Sequence, residues 1–315
     1  MTYTIFIDGE AGTTGRGIRD RLLGVPGVAL RSIDPARRKD ADARREMMAQ
    51  VDLAVLCLHD EAACESAALA ASLGENAPKL LDASTAHRID PEWVYGVPEL
   101  DAGQAERIAD APRVANPGCY PTGAITLLRP LVEAGLIAAD TPISVNAVSG
   151  YSGGGRNMIE AHEGRGGPSF ELYALGLEHK HVPELQRYAR LTRRPIFVPS
   201  VGHFRQGMLV SIPLHLDTLP GRPAAAALAE ALADYYRHAP RIHVMPLASA
   251  GTLEPEALNG TDDIELRVYS NQVHGHALLV ARLDNLGKGA SGAAVQNIRL
   301  MLGLDATQAR ELADA

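Results

Sequence analysis

The sequence predicts an α/β fold in two parts: a parallel sheet flanked by helices, then an α+β domain with a mostly antiparallel sheet. The chain has 315 residues, which is more than one hydrophobic core usually serves. In the first part, short apolar runs alternate with helical segments, as in parallel sheets covered on both faces. After about residue 140 the apolar runs lengthen and alternate with polar residues, which favours an antiparallel sheet with one wet face.

Five apolar runs predict the strands of the first part. A glycine-rich segment and the helical pattern "RGIRDRLL" follow the first run, and a helix over about 61–73 follows the third. The charged run "ARRKDADARR" indicates a solvated loop that leads into a helix. The predicted strands are 3–8, 28–34, 51–58, 79–84 and 113–116.

Three longer runs predict the strands of the second part: 206–216, 263–270 and 276–283. In the first of these runs, every second side chain is apolar and falls on one face of the strand. These residues are Met208, Val210, Ile212, Leu214 and Leu216. The last segment, 290–304, predicts a helix.

Composition excludes several classes of protein. Hydrophobic residues are 46% and charged residues 22%, which is ordinary for a globular protein. The net charge of −8 argues against binding to nucleic acid or to an acidic membrane, and no run is long enough to span a bilayer. Three cysteines are too few for a disulfide framework or a zinc site, so we expect a reducing cytoplasm. Cys57 and Cys64 lie in apolar and alanine-rich stretches, and both are predicted to be small buried side chains.

The segment "GEAGTTG" predicts a phosphate-binding turn. Gly9, Gly12 and Gly15, with Thr13 and Thr14 between them, stand directly after a strand and before a helix. Glycines let the backbone approach a pyrophosphate, whose charge the free N–H groups of the helix start then bind. The spacing departs from the commoner G-x-G-x-x-G, and a tight turn without a ligand is the alternative. The strand–loop–helix context favours a dinucleotide.

The end of the second predicted strand is expected to contact the adenosine ribose. Asp34 there would suit a 2′-hydroxyl, whereas Ser32, Arg37, Arg38 and Lys39 would suit a 2′-phosphate. The basic residues favour NADP(H). An exposed charged loop without a ligand is the alternative.

Cys119 lies in "NPGCYPTGAI", between a strand and an apolar helix. A free thiol has a pKa near 8.5, so about 3% is thiolate at pH 7. A helix N-terminus contributes on the order of 0.3–1 kcal/mol, less than one pKa unit, so a charged neighbour such as histidine is needed. A Gly/Pro turn after a strand is where α/β proteins expose ligand groups. We therefore predict a nucleophile at Cys119 rather than a packed structural thiol.

The sequence offers several histidine partners for this thiol. His179 and His181 stand two apart in "EHKHVPEL" at a predicted helix entrance, and His203 precedes a strand in "SVGHFRQGM". His274 and His276 are predicted to share a strand face. Either H-x-H pair could bind a metal, but no third ligand motif stands near. Spacing alone does not choose among these histidines.

Several motifs in order resemble the N-acetyl-γ-glutamyl-phosphate reductase family of arginine biosynthesis, in its shorter variety. They are "GEAGTTG", "DAS" with Arg88 after it, "YGVPEL", "NPGCYPTGA", "SGYSGGGR", "HKHVPE" and "DNLGKGASGAAVQN". The resemblance runs from residue 5 to about 300. "NPGCYPT" and "DNLGKGASG" in one chain are specific, whereas the glycine loop alone is not.

The resemblance implies the architecture shared with aspartate-semialdehyde and glyceraldehyde-3-phosphate dehydrogenases. A Rossmann-type nucleotide domain would comprise 1–116 and 287–315, with the last helix folded back onto it, and the catalytic domain would comprise 117–286. It also implies NADP(H), a thiol nucleophile at Cys119 and no metal. A homo-oligomer, a dimer or tetramer, is expected.

The resemblance also implies site residues. His179 would be the acid/base and His181 the second candidate, while a G-H-[ST] turn in related dehydrogenases keeps His203 as an alternative. Asn285, Gly287 and Lys288 would contact the cofactor. The expected ligands of the substrate and its phosphate are Ser84, Arg88, Asn116, Ser149, Gly150, Ser152, Gly153 and Arg156.

The implied chemistry explains why a cysteine is pinned in a turn. Its thiolate would attack an acyl phosphate, release phosphate and leave a thioester for reduction to the aldehyde. Two alternatives stay open within the class, aspartate-semialdehyde dehydrogenase and an aminoadipyl-phosphate reductase. A nucleotide-binding regulator without turnover is a third, but it would need neither a pinned thiol nor a phosphate loop, and a zinc hydrolase is more distant.

Overall fold

A computed structural model describes residues 2–304 of the chain. The chain forms two compact units, and it passes from the first to the second after Pro117 and back after Gly289. The predicted α/β class, with a parallel sheet followed by a mostly antiparallel one, is confirmed. The assignment of 1–116 with 287–315 and of 117–286 to separate functional domains stays a prediction, and 305–315 lie outside the described residues.

The first unit is built on a six-stranded sheet in which every pairing is parallel. Its order is β2-β1-β3-β4-β6-β5, so the chain reverses direction across the sheet at β1. In open α/β sheets the carboxyl ends of the strands at such a reversal form the ligand crevice. The strands are β1 Tyr3–Asp8, β2 Val28–Arg31, β3 Leu53–Leu56, β4 Lys79–Asp82, β5 Val94–Tyr95 and β6 Arg113–Ala115.

Helices cover both faces of this sheet. Along β1, Ile5 and Ile7 enter one apolar cluster, and Phe6 enters a second cluster on the other face. The last helix of the chain supplies Ile298 to the first of these clusters, beside Ile18 of the first helix. The helices are α1 Thr13–Leu22, α2 Ala41–Met48, α3 Asp60–Ala71, α4 Gln104–Asp110 and, last in the chain, α9 Gly292–Met301.

The second unit holds a seven-stranded mixed sheet of order β11-β12-β13-β10-β7-β9-β8. Its pairings are antiparallel except β11 with β12 and β7 with β9. The strands are β7 Ser144–Gly150, β8 Phe170–Leu172, β9 Ile196–Gly202, β10 Met208–His215, β11 Ile242–Val244, β12 Ile264–Asn271 and β13 His276–Leu283.

The predicted alternation along β10 is confirmed. Met208, Val210, Ile212 and Leu214 are buried, and the residues between them are half-buried or exposed. Leu216 is buried too, but it lies in a 3₁₀ turn after the strand. His274 lies in the turn between β12 and β13, so the prediction that it shares a strand face with His276 is wrong. The helices of this unit are α5 Cys119–Glu133, α6 Gly155–Arg165, α7 Val182–Tyr188 and α8 Ala225–Tyr235.

Helix α5 is the buried centre of the second unit, with twelve of its fifteen residues buried. A Cβ at Gly123 would lie 2.9 Å from Val210 Cγ2, so this helix approaches the sheet closely at a position where a side chain does not fit. Pro130 inside the helix has no N–H for the carbonyl of Thr126. The hydroxyl of Tyr236 donates to that carbonyl instead, at 3.0 Å.

Because the carbonyl of Thr126 is buried, we expect Tyr236→Phe to lower the free energy of unfolding by about 1–3 kcal/mol. Urea unfolding followed by circular dichroism measures the change. Tyr235→Phe is the matched control, since that hydroxyl donates to Glu133 in an exposed hydrogen bond, and we expect a loss below about 0.5 kcal/mol. Equal losses in the two variants would contradict the proposed role of Tyr236.

The structure contains no helix, among the residues it describes, that is long and apolar enough to cross a membrane.

Candidate active site

The glycine loop between β1 and α1 is shaped by two close backbone approaches. Gly9 has φ +90°, and a Cβ there would lie 2.3 Å from the carbonyl oxygen of Cys57. A Cβ at Gly15 would lie 2.5 Å from the carbonyl oxygen of Gly9. Gly12 differs, because the nearest atom to a Cβ there is 3.4 Å away.

The open space beside Gly12 is directly at the start of α1, whose first two residues are Thr13 and Thr14. N–H groups in the first turn of a helix bind phosphate, and the loop stands at the strand reversal of the sheet. The loop therefore fits the pyrophosphate of a dinucleotide.

Ser32, predicted at the ribose, stands just beyond β2 beside two charged residues that the sequence reading missed. Its hydroxyl donates to Glu10 Oε2 at 2.9 Å and accepts from Arg19 Nη1 at 3.2 Å. Arg37 forms looser ion pairs with Asp40 and Glu46, at 3.6 and 3.9 Å.

Arg38 is exposed in the turn after β2.

Three predicted substrate ligands of the first unit form hydrogen bonds within that unit. Ser84 donates to Asp82 Oδ2 at 2.7 Å, and Arg88 is buried and donates to the carbonyl of Ala83 at 3.3 Å. The side chain of Asn116 donates to the carbonyl of Ala290 at 3.1 Å. Their role as ligands stays a prediction.

A buried histidine joins this polar group. His87 Nδ1 lies 2.7 Å from Asp82 Oδ2, and its ring stacks on Trp93 at 4.1 Å. Asp82 thus organises the carboxyl end of β4.

Cys119 is the first residue of α5, and its side chain is half-buried. The preceding residue, Gly118, donates its N–H to Glu184 Oε2 at 3.2 Å. Glu184 is fully buried in the first turn of α7. A Cβ at Gly289 would lie 2.9 Å from the Cβ of Cys119, so the "DNLGKG" loop passes directly over the thiol-bearing residue.

His179 and His181 lie beside the residue that follows Cys119. Their ring centroids are 6.1 and 6.0 Å from that of Tyr120, and 4.7 Å from each other. The backbone N–H of His181 donates to His179 Nδ1 at 3.1 Å. A neutral His179 therefore carries its proton on Nε2, which leaves that nitrogen as a donor.

The alternative base, His203, is engaged elsewhere in this unit. Its Nδ1 lies 2.9 Å from Nδ1 of the buried His162, and the ring of Tyr151 stacks on His162 at 4.7 Å. This pairing favours His179 and His181 over His203 as partners of the thiol.

The phenols of Tyr120 and Tyr173 interact electrostatically with Cys119. Tyr173 donates to the hydroxyl of Tyr120 at 3.2 Å, and Tyr120 donates to the carbonyl of Ser200 at 3.0 Å. Burial raises the pKa of Tyr173 to about 12, with a contribution from the charge of a Cys119 thiolate. Burial also raises the pKa of Tyr120, and Tyr173 and Cys119 add to that rise. Both phenols therefore remain neutral near pH 7.

The predicted anion loop after β7 is tied to the segment before β10. Gly150 donates to the carbonyl of Gly207 at 2.9 Å, and Ser152 donates to that of Arg205 at 3.0 Å. A Cβ at Gly153 would lie 3.0 Å from the hydroxyl of Ser149. Ser149, Gly150, Ser152 and Gly153 therefore lie together, and their role as ligands stays a prediction.

Arg156 is in the first turn of α6 and is 79% exposed, where it pairs with Glu160 at 2.9 Å.

The "DNLGKG" loop is organised by Asp284. This buried carboxylate accepts from the N–H groups of Gly260 and Leu286, each at 2.8 Å. Asn285, predicted to contact cofactor, is buried and donates to Ser152 Oγ at 2.9 Å.

A Cβ at Gly287 would lie 2.0 Å from the carbonyl oxygen of Thr261, and the side chain of Lys288 is buried. The predicted contacts of Asn285, Gly287 and Lys288 with cofactor stay predictions.

The other two cysteines differ from Cys119. Burial raises the pKa of the Cys57 thiol strongly, and the carboxylates of Asp82 and Asp8 add to the rise. Cys64 is exposed on α3, so the prediction that it is buried is wrong. Cys64 lies on the solvent side of the helix, which its alanine-rich surroundings did not reveal.

Among the described residues, no group of three His, Cys, Asp or Glu side chains could hold a metal ion.

Comparison with known proteins identifies the family. Residues 119–285 match the dimerisation domain of semialdehyde dehydrogenases, and 27–110 match their NAD binding domain. N-acetyl-gamma-glutamyl-phosphate reductase 2 of Pseudomonas putida is 53% identical over 308 residues, covering 96% of this chain and 97% of the relative. The reductase of Brucella ovis is 52% identical over 311 residues, covering 96% and 100%. The chain belongs to the N-acetyl-γ-glutamyl-phosphate reductase family.

Solved structures share the fold. Aspartate semialdehyde dehydrogenase II of Vibrio cholerae superposes with a TM-score of 0.70 at 18% identity, covering 96% of this chain and 98% of that one. The aspartate semialdehyde dehydrogenase of Francisella tularensis has a TM-score of 0.72 at 11% identity, covering 98% and 100%. Identity this low shows the architecture alone.

Two residues near Cys119, Glu184 and Tyr173, were not predicted from the sequence. Glu184 lies three positions after His181, so the first turn of α7 places both at one helix entrance. Tyr120 is adjacent to Cys119, but Tyr173 lies 53 positions after Tyr120. A helical reading of "HKHVPE" could have indicated Glu184, whereas no local signal indicated Tyr173.

The contrast between Gly12 and Gly15 predicts two different defects. Gly12→Ala should keep the stability of the protein but weaken dinucleotide affinity at least about tenfold, because the methyl group stands where the pyrophosphate approaches. Gly15→Ala should lower the free energy of unfolding by about 1–3 kcal/mol, because the methyl group meets backbone atoms. Urea unfolding and fluorescence titration of NADPH separate the two. A stable Gly15→Ala variant with full affinity would contradict the loop geometry.

The raised pKa of Tyr173 predicts a loss of stability in alkali. The folded protein holds the phenol neutral up to about pH 12, whereas the unfolded chain ionises near pH 10. Its contribution is therefore complete below pH 10 and is lost as the pH rises to 12, by about 1.4 kcal/mol per pH unit. Tyr173→Phe should flatten this slope in unfolding experiments between pH 9.5 and 11 (roughly the accessible window). An unchanged slope would show that Tyr173 does not titrate in this way.

Proposed function

We propose that this chain catalyses the reduction of N-acetyl-γ-glutamyl phosphate to N-acetylglutamate semialdehyde, with release of phosphate and NADPH as the reductant. The reaction is a step of arginine biosynthesis. The observation that carries the proposal is the position of Cys119 at the start of α5, next to Tyr120, whose ring lies 6.1 and 6.0 Å from the rings of His179 and His181. The names of the relatives support the acyl substrate.

Cys119 acts as the nucleophile. Its thiolate sulfur attacks the acyl carbon of the substrate, the bond from that carbon to the phosphate oxygen breaks, and phosphate leaves with the electron pair. The product on the enzyme is a thioester. When bound, the cofactor supplies the hydride that reduces this thioester carbon.

The aldehyde then leaves as the carbon–sulfur bond breaks and the thiolate of Cys119 returns. Throughout, the buried helix holds the sulfur in one place, which keeps the reacting carbon in range of reduction.

His179 is the acid/base. Its Nδ1 accepts from the backbone of His181, so Nε2 can donate a proton to the oxygen that becomes negative and later take it back. Tyr120 and Tyr173 surround the ring of His179, at 6.1 and 5.6 Å between centroids. Glu184 binds the N–H of Gly118 and so steadies the turn that carries the thiol.

The anion groups of the substrate bind the loop after β7 together with Arg156. The loop offers hydroxyl and backbone donors from Ser149, Gly150, Ser152 and Gly153, and Arg156 supplies an exposed positive charge. Ser84, Arg88 and Asn116 form the remaining predicted ligands.

The cofactor is NADP(H), held by the glycine loop. Gly9 and Gly15 fold this loop tightly, Gly12 leaves room for the pyrophosphate, and Thr13 and Thr14 open α1. Asn285, Gly287 and Lys288 are the proposed nicotinamide-side contacts, and the 2′-phosphate binds near Ser32, with Arg37 and Arg38 nearby.

The active protein is a homo-oligomer. One face of the second sheet carries the exposed side chains Phe170, Leu172 and Leu278 around a cleft of about 690 Å³. A second copy of the chain would cover this apolar face. Leu278→Asp should therefore reduce the mass measured by light scattering to that of one chain, while Leu23→Asp, an exposed control on the first unit, should not. A single-chain mass for the unaltered protein would reject this assembly.

Replacement of the thiol tests the mechanism. Cys119→Ala should lower turnover of the acyl phosphate by about 10⁴-fold or more, while NADPH still binds. Cys64→Ala and Cys57→Ala should keep activity, because Cys64 is exposed and the thiol of Cys57 remains protonated. The assay is phosphate-dependent oxidation of N-acetylglutamate semialdehyde, with aspartate semialdehyde as the competing substrate. Near-normal turnover by Cys119→Ala, or a preference for aspartate semialdehyde, would overturn the proposal.

The same assay distinguishes the histidines. His179→Asn should lose about 10²–10⁴ in rate, whereas His203→Asn should lose less, since His203 pairs with His162. A larger loss in His203→Asn would move the acid/base to that turn and leave the role of Cys119 intact.

A further inference from the structure

A cluster of opposite charges stands at the expected ribose end of the dinucleotide site. Arg19 Nη1 lies 2.9 Å from Glu10 Oε2, and both groups meet the hydroxyl of Ser32. The three residues come from different places, namely α1, the glycine loop and the end of β2. Ser32 stands 20 residues after Gly12, which is the position where dinucleotide-binding folds contact the ribose 2′ substituent.

The usual group at that position is a carboxylate for a 2′-hydroxyl, or an arginine for a 2′-phosphate. This cluster holds both, and the hydroxyl of Ser32 donates to the carboxylate and accepts from the guanidinium. Glu10 is 35% and Arg19 40% exposed, so a ligand can reach both groups from solvent.

We infer that Glu10, Arg19 and Ser32 form the ribose 2′ site and set the choice between NADPH and NADH, a conclusion that rests on the proposed function. Arg19 and Ser32 bind the 2′-phosphate of NADPH. Glu10 opposes it, because a phosphate near Arg19 must displace the carboxylate and then lies beside a like charge. With NADH, Glu10 keeps its bond to Arg19 and accepts from the 2′-hydroxyl.

Cofactor choice in this site depends on Arg19 rather than on the arginine pair after β2. Arg37 faces two carboxylates, Asp40 and Glu46, whereas Arg19 is the arginine whose guanidinium donates to the hydroxyl of Ser32. Arg37 and Arg38 then contribute a general positive field, while Arg19 makes the direct contact.

Binding of the two cofactors to the purified full-length protein tests this site without turnover. Dissociation constants for NADPH and NADH come from the fluorescence of the bound nicotinamide, and their ratio is the readout. Glu10→Gln should shift the ratio toward NADPH by about fivefold, the effect of removing one like charge at about 4 Å in water. Arg19→Gln should shift it toward NADH by about tenfold or more.

The double variant Arg37→Gln, Arg38→Gln is the matched control, and it should change the ratio less than Arg19→Gln does. A purely structural role of the cluster would weaken both cofactors equally and leave the ratio unchanged, which would overturn the inference. A larger shift in the double variant would overturn it as well. If the unaltered protein binds neither cofactor, the proposed function itself fails, so the two failures are distinct.

Discussion

The burial of α5 is the constraint on which the second unit depends. The helix begins at Cys119 and is enclosed along most of its length by the sheet and by neighbouring helices. Gly123 lets the helix pack closely against Val210. The hydroxyl of Tyr236 donates to the carbonyl of Thr126, which Pro130 leaves without its usual helical donor. Close packing along the helix holds its first residue in place. A fixed position suits the proposed nucleophile, since the same sulfur would serve attack, reduction and release.

Other elements converge on the start of this helix for the same reason. Gly289 lies against Cys119, Glu184 binds the N–H of Gly118, and the side chain of Tyr120 reaches the carbonyl of Ser200. Each contact uses a small residue or a hydrogen-bonded polar group, so close packing and hydrogen bonds together confine the residue that carries the thiol. The phenols of Tyr120 and Tyr173 are kept neutral by burial, and they add no negative charge next to the thiolate.

The glycine loop of the first unit is different, because it leaves space where the proposed dinucleotide would approach. Gly9 and Gly15 are required by contacts of the loop with its own fold, whereas Gly12 leaves room outward. Nearby, the pairing of Glu10 with Arg19 satisfies both charges in the free protein. Because this pair is half-exposed, a dinucleotide can compete for it at modest cost.

The sequence by itself determined the features that depend on local spacing. Period-2 alternation located β10, the strand–glycine–helix order located the turn between β1 and α1, and the Gly/Pro turn located the start of α5 at Cys119. Only the tertiary structure decided which distant groups meet: His203 with His162, and Ser32 with Arg19. It also exposed Cys64, which the alanine-rich sequence had indicated as buried. The physical reason is that hydrogen bonds and ion pairs between distant residues depend on strand order and helix packing, whereas backbone turns and side-chain periodicity depend on neighbours along the chain.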